Sequence, residues 1–351
     1  MTLQIQNNLI AHSIIIPTAG RPVAIKRAVK SVLEQDLVAH DAELIVVDNN
    51  TDEQLATDLA TFCKELGDQL RYVREHSPGL GAARHRGAAE SYGEWLTFLD
   101  DDVEVSDTWL PALHRAFNEP DVVMAGGPSI PKFTSSIPAW FWDFMSPTPY
   151  GGWMNPWLSL LDIGHDVENI DPNYIWGLNF SILKKTLFEL GGFHPDLVPK
   201  QLQRWQGDGE TGLTMKVKKA GLRADYIQDA FLHHLCGPDR LTVDYFQKRA
   251  FYQGVCNSFT QIRSEKQNQY DNQSFYFSLR RIAGRLLRKK RPKNSLWSNE
   301  AKAVRQFTQK AERDGWLFHQ NEVTNDPALL AWVISKDYFD SDLRDFEINQ
   351  S

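Results

Sequence analysis

The sequence has little cysteine: Cys63, Cys236 and Cys256 are the only three in 351 residues. The number is odd, the spacings are wide and no CxxC occurs, which argues against a disulfide framework or a zinc ribbon. Free, reduced thiols in a cytoplasmic protein are the expectation. Long apolar runs are also missing. None approaches the roughly 18 residues of a membrane-spanning helix, and stretches such as 328–334 are short. The N-terminal MTLQIQNNLIAH has no basic region followed by an apolar one, so it does not read as a signal peptide. Positive charge is in deficit, with 38 Lys and Arg against 45 Asp and Glu and a net charge of −7. A nucleic-acid partner is therefore not expected. What is present is ordinary for a globular protein, 42% apolar and 24% charged residues, enough to build a core. The length suggests about two domains.

The first 130 residues alternate strand and helix patterns. Strands are expected at 12–17, 43–48, 70–74 and 95–99, and the continuous apolar run at 43–48 is of the type found in strands covered on both faces. Helical spacing occupies 22–35, 53–66 and 79–92. Such alternation implies βαβ units and a mostly parallel sheet, and ligands of such sheets sit beyond the carboxyl ends of the strands. The segments there are Thr18 to Arg21, Asp48 to Asn50, and Asp100 to Asp102. Between Pro128 and Pro156 the texture changes to crowded Pro and aromatic residues, Trp140, Phe141, Trp142, Phe144, Trp153 among them. This stretch reads as a loop or short turns. Further elements are expected at 174–181, 184–190 and 209–220, with a last strand and its neighbours at 224–235. Beyond Leu241 the chain reads as helical and polar.

Three consecutive carboxylates at a strand end, Asp100, Asp101 and Asp102, repel one another unless a cation or donor groups offset the repulsion. They are natural ligands for a hard divalent ion that bridges phosphate oxygens. Asp208-Gly209-Glu210 opens a helix, where acids serve as caps or, flanked by glycines, as a general base. His233 and His234 lie on a strand, so at most one of the two points to a site. Gly79 to Arg84 imitates a dinucleotide-binding loop. However, Arg84 takes the third Gly position and the run follows the third strand, which weighs against a dehydrogenase.

Taken in order, IIIPTAGRP (14–22), VVDNN (46–50), SPGLGAARHRG (77–87), FLDDDV (98–103), GLNFSILKK (177–185) with ELGGF (189–193), GDGETGL (207–213) and HHLCGPDRLT (233–242) resemble family-2 glycosyltransferases of the GT-A fold. The resemblance covers residues 12 to 255. It implies an α/β fold with a mostly parallel central sheet, a catalytic domain over 1–245 and a helical extension over 246–351. It implies an inverting enzyme of hexosyltransferase type that moves a sugar from a nucleotide-diphosphate sugar, expected to be a UDP-sugar, to an acceptor hydroxyl in polysaccharide or glycoconjugate synthesis. Glycan or lipid-linked acceptors follow from it.

Carried over by position, Pro17, Thr18 and Arg21 line the nucleotide, and Asp48 meets its base or ribose. Arg84 belongs to the glycine-turn helix and stabilises the diphosphate. Asp100 faces the ribose or the metal, and Asp101 lies with it on the donor side. Asp102 and His234 bind Mn2+ or Mg2+, with a diphosphate contact the alternative for His234. The catalytic base falls on Glu210, three residues before Leu213, but the usual adjacent Glu-Asp pair is split here, so Asp208 stays a candidate. His85 stands where Asn is more usual in the donor pocket.

Alternatives are a metal-dependent nucleotidyltransferase or nucleotide-sugar hydrolase and, more distantly, a carbohydrate-binding module. A basic stretch, Leu279 to Lys293, has Leu279, Ile282 and Leu286 on one helical face. It reads as a peripheral membrane contact, placing the protein in the cytoplasm at the inner membrane face, or as a solvated helix.

Overall fold

A computed structural model of the chain describes residues 11–270, 298–339 and 343, with residues 266–270 described in backbone only. The basic stretch at 279–293 lies outside the described residues. Two compact units emerge. The first takes in residues up to 136, 146–238 and those from 336 on; the second takes 137–145 and 239–335.

The first unit carries two sheets. Its strands are β1 (His12–Thr18), β2 (Ala42–Asp48), β3 (Arg71–Arg74), β4 (Trp95–Leu99), β5 (Val103–Val105), β6 (Val122–Gly126), β7 (Ser129–Phe133), β8 (Ser146–Thr148), β9 (Gly151–Asn155), β10 (Leu160–Asp162), β11 (Asn179–Leu183), β12 (Arg223–Tyr226) and β13 (Leu232–Cys236). The helices are α1 (Pro22–Leu33), α2 (Glu53–Glu65), α3 (Leu80–Glu90), α4 (Trp109–Phe117), α5 (Lys184–Glu189) and α6 (Glu210–Lys219).

The larger sheet has seven strands in the order β12-β6-β11-β4-β1-β2-β3. All its pairings are parallel except the two made by β11. This is the mostly parallel α/β sheet expected from the sequence. Every residue of β1 is buried, as befits a strand covered on both faces. The register aligns the strand ends: Thr18 pairs with Asp48, and Asp48 with Arg74. Helix starts are fixed locally. Pro22 opens α1 at a position where its missing N–H costs nothing. Asp52 caps α2 by accepting from the N–H groups of Gln54 and Leu55.

The second sheet runs β5-β13-β7-β10-β9-β8. It corrects the expectation of loops between Pro128 and Pro156, because β7, β8 and β9 lie there. The expected strand at 224–235 is likewise two strands, β12 in the large sheet and β13 in the small one.

The second unit contains α7 (Val243–Tyr270), α8 (Asn299–Asn325) and α9 (Pro327–Val333). Close approach of α7 and α8 depends on glycine. A Cβ on Gly254 would stand 1.9 Å from the Glu312 carbonyl oxygen, and one on Gly315 would stand 2.0 Å from that of Phe251. Trp140, Phe141 and Phe144 are buried in this unit, with all three rings against Phe246 of α7. They form a packed aromatic core here, whereas Trp142 is 54% exposed. Among the described residues no helix is long and apolar enough to cross a membrane, and the three cysteines are free thiols.

Candidate active site

The site forms where β1, β2 and β4 end together. Thr18 closes β1 and donates its hydroxyl to Asp101 Oδ2 at 2.6 Å. Arg21, before α1, places Nη1 3.0 Å from Asp101 Oδ1 and hydrogen-bonds Asp102 Oδ2. Asp101 and Asp102 are almost wholly buried, whereas the Asp100 side chain is 32% exposed. Burial pushes the Asp101 carboxyl up to about 7, and Asp102 adds to the rise. The Arg21 guanidinium and the Thr18 hydroxyl pull the other way. A cleft of about 210 Å³ opens here, with Pro17, Thr18, Arg21, Asn49, Asp100 and Asp101 among its walls.

Asp48 is fully enclosed. Its Oδ1 accepts from the backbone N–H and the side-chain amide of Asn50, and its Oδ2 accepts from the Tyr72 hydroxyl at 2.5 Å. Arg74 stands 3.6 Å from the same oxygen. Asp48 therefore orders the turn that carries Asn49 and Asn50 to the cleft side of the sheet. Asn49 in turn ties down the following loop, donating to the carbonyls of Glu75 and Ser77.

Arg84 of α3 is the buried link in the site. Its Nη2 donates to the Gly177 carbonyl at 3.0 Å and lies 3.3 Å from Asp100 Oδ1, while its Nη1 stands 3.7 Å from Glu210 Oε2. Phe193 lies under the guanidinium, 5.1 Å from its ring centre. The antiparallel register of β11, which pairs Asn179 with Leu99, brings Gly177 beside the end of β4. A Cβ on Gly177 would meet Arg84 Nη2 at 2.7 Å and the Glu210 carboxyl carbon at 3.0 Å, so the bridge needs glycine there.

The two acids at the start of α6 are separated by environment. Asp208 is buried, and its Oδ1 is 2.5 Å from His194 Nδ1. Gly209 turns the chain at φ +56°, a conformation that disfavours side chains with a Cβ. Glu210 then emerges with its side chain 29% exposed, its Oε1 accepting from the Gly177 N–H at 3.4 Å. Gly212 gives His194 its room, since a Cβ there would stand 2.0 Å from Nδ1.

His234 reaches the acidic run through the second sheet, where β13 pairs it with Val103. Its Nδ1 is 2.9 Å from the Leu158 carbonyl, which can only accept, so that nitrogen carries the proton. Nε2 then faces Asp102 Oδ1 at 3.4 Å. An imidazole held by a carbonyl and aimed beside a carboxylate is a donor pair suited to Mn2+ or Mg2+, and diphosphate oxygens and water suit the remaining positions. Among the described residues no group of three or more His, Cys, Asp or Glu converges into a metal cage. His233, on the opposite face, is only half-buried.

His85 corrects one expectation, because it does not face the donor cleft. It is buried, its Nε2 accepts from the Phe193 N–H at 2.9 Å, and its ring lies 4.3 Å from that of Phe339. Burial lowers its pKa to about 4, so it stays neutral. Sequence reasoning missed Gly177, His194, Tyr72 and Arg74. Gly177 and His194 lie inside or next to quoted motifs, but no spacing in the sequence links them to Arg84 or Asp208.

A family model described as glycosyl transferase family 2 matches residues 13–185. A glucosyl-dolichyl phosphate glucuronosyltransferase from Haloferax volcanii is 24% identical over 230 residues, 64% of this chain and 69% of that protein. A GalNAc(5)-diNAcBac-PP-undecaprenol beta-1,3-glucosyltransferase from Campylobacter jejuni is 32% identical over 109 residues. That match covers 30% of this chain and only 34% of the relative. Among solved structures, a mannosyltransferase from Pyrobaculum calidifontis in complex with GDP-Man and Mn2+ matches with a TM-score of 0.48 at 16% identity, covering 90% of this chain and 75% of that one. Residues 13–185 thus carry a glycosyl transferase family 2 domain.

Proposed function

We propose that the sheet-bearing unit transfers a sugar, with inversion, from a nucleotide-diphosphate sugar to an acceptor hydroxyl in glycoconjugate synthesis. One observation carries this reading. The buried Arg84 holds the donor-side Asp100 and the partly exposed Glu210 within 3.3 and 3.7 Å of one guanidinium. A carboxylate able to take a proton from the attacking hydroxyl thereby stands one guanidinium away from the acidic strand end on the donor side. Glu210 takes the proton from the acceptor hydroxyl. The acceptor oxygen bonds to the anomeric carbon as the bond to the diphosphate breaks, and the diphosphate keeps the electron pair. Asp208 is the weaker candidate for the base because its carboxylate is buried against His194. Asp102 and His234 would hold the divalent ion, which when bound neutralises charge on the departing diphosphate. Arg84 orients Asp100 and Glu210 from beneath.

The donor is proposed to be a UDP-sugar. The acceptor is proposed to be a lipid-linked glycan, since the two relatives are named for dolichyl phosphate and undecaprenol-linked chemistry. A screen of nucleotide sugars with Mn2+ should find one whose nucleoside diphosphate is released only when a lipid-linked acceptor is added. Release at the same rate without acceptor, with free sugar as the product, would make the protein a hydrolase.

A lipid-linked acceptor gives the basic 279–293 sequence a use as a contact with anionic membrane. Flotation with anionic vesicles should show binding at low salt that fades as ionic strength approaches 0.15 M, where screening acts over about 8 Å. Absence of binding at low salt would reject the contact.

A further inference from the structure

Arg21 occupies the place where a metal ion would be expected. The side chain is 43% exposed, yet its Nη1 touches two carboxylates, Asp101 and Asp102, that are 2% and 6% exposed. Two adjacent buried acids repel one another, and a guanidinium between them offsets that repulsion. The Asp102 carboxylate is shared. One oxygen meets Arg21 and the other faces His234 Nε2 at 3.4 Å. A divalent ion seated on that carboxylate would put two further positive charges beside the guanidinium. At a few ångströms this repulsion is large even with partial screening. An anion between the two cations removes it. Arg21 also lines the donor cleft, and the following Pro22 fixes the backbone at the start of α1, so a change of partner falls to the side chain.

We propose that Arg21 is a placeholder cation. It neutralises Asp101 and Asp102 before the donor binds and opposes metal binding on its own. It transfers to the donor's diphosphate when metal and nucleotide enter together. This inference rests on the metal-dependent glycosyltransferase reading above. Its consequence is positive coupling: nucleoside diphosphate strengthens metal binding, and metal strengthens nucleotide binding by the same factor.

The test measures Mn2+ binding to the purified full chain by electron paramagnetic resonance of free Mn2+, with and without UDP, and again with GDP. Wild type should bind Mn2+ alone weakly and gain at least about tenfold with one of the nucleotides, within the usual span of such couplings. Arg21→Gln should bind Mn2+ alone about tenfold or more tighter than wild type. It should lose most of the nucleotide-dependent gain and bind the nucleotide more weakly in saturating Mn2+. Arg21→Lys keeps the charge but gathers it on a single ammonium on a differently shaped side chain, and should shift in the same direction by a smaller factor. That variant also keeps the test open if Arg21→Gln folds poorly by circular dichroism. Equal Mn2+ affinity, within twofold, for wild type and both variants without nucleotide overturns the placeholder alone, provided nucleotide-dependent Mn2+ binding is intact. No Mn2+ binding by any of the proteins with either nucleotide overturns the metal-dependent reading and the placeholder with it.

Discussion

Glu210→Gln is expected to lower kcat by about 10² to 10⁴, the usual worth of a general base, with nucleoside diphosphate affinity in Mn2+ within about twofold of wild type. The amide keeps the size of the side chain and can still face the Gly177 N–H and Arg84, so the start of α6 keeps its form. It cannot take a proton from the acceptor hydroxyl. The donor groups at Thr18, Arg21 and Asp102 are untouched, which confines the loss to turnover. Asp208→Asn is the informative partner. Its carboxylate pairs with His194 at 2.5 Å inside the protein, so the amide should weaken a buried contact and lower thermal stability. Removing one partner of a buried pair is costly, about 3–5 kcal/mol in comparable cases, and a conservative amide should cost less than that. Turnover per folded molecule should fall far less than in Glu210→Gln. Rapid-quench turnover and thermal melts of both variants check this. A collapse of kcat in Asp208→Asn with normal turnover in Glu210→Gln would move the base to Asp208.

Much of this site could be read from the sequence because parallel strands announce themselves. His12–Thr18, Ala42–Asp48 and Trp95–Leu99 are largely apolar runs, and the segments at their ends, Thr18 to Arg21, Asp48 to Asn50 and Asp100 to Asp102, must then share one sheet edge. The second sheet gave no such signal. Its strands β8 and β9, SPT and GGWMN, contain proline and glycine, residues that weaken strand propensity. Pairing with neighbours far along the chain holds them in place. The tail at 224–235 failed for a related reason. The apolar run is broken only by the turn at 227–230, and which sheet each half joins depends on the partners β6 and β7. In the site itself, sequence placed Asp208 and Glu210 at one helix start but could not separate them. The separation comes from His194, fourteen residues earlier, and from the Gly209 turn that points Glu210 outward. Asp48 shows the same limit. Its position at the end of β2 was legible, but its enclosure by Asn50, Tyr72 and Arg74 was not, because Tyr72 and Arg74 come from the neighbouring strand β3.

Asp102→Asn should abolish most metal-dependent turnover, by about 10² to 10³, the loss seen when one preorganised electrostatic group at a developing charge is removed. Two effects compete in the unliganded protein. Removing one of three consecutive carboxylates relieves repulsion, which favours the folded state. The same change weakens the ion pair with Arg21, but that partner is 43% exposed, and pairs open to solvent contribute only about 0–1 kcal/mol. The two terms are comparable and opposite in sign. The melting temperature without metal should therefore stay within about 3 °C of wild type, the shift that corresponds to roughly 1 kcal/mol in a unit of this size. Mn2+ should raise the melting temperature of wild type in the presence of nucleoside diphosphate, by linkage to the folded state, and should leave that of Asp102→Asn unchanged. Adding Mn2+ to the assay should not rescue the rate, because His234 Nε2 alone, without the facing carboxylate oxygen at 3.4 Å, is a single neutral ligand with little hold on a hard cation. Wild-type turnover of Asp102→Asn in Mn2+ would remove Asp102 from the metal site and leave Arg21 as the cation that its carboxylate serves.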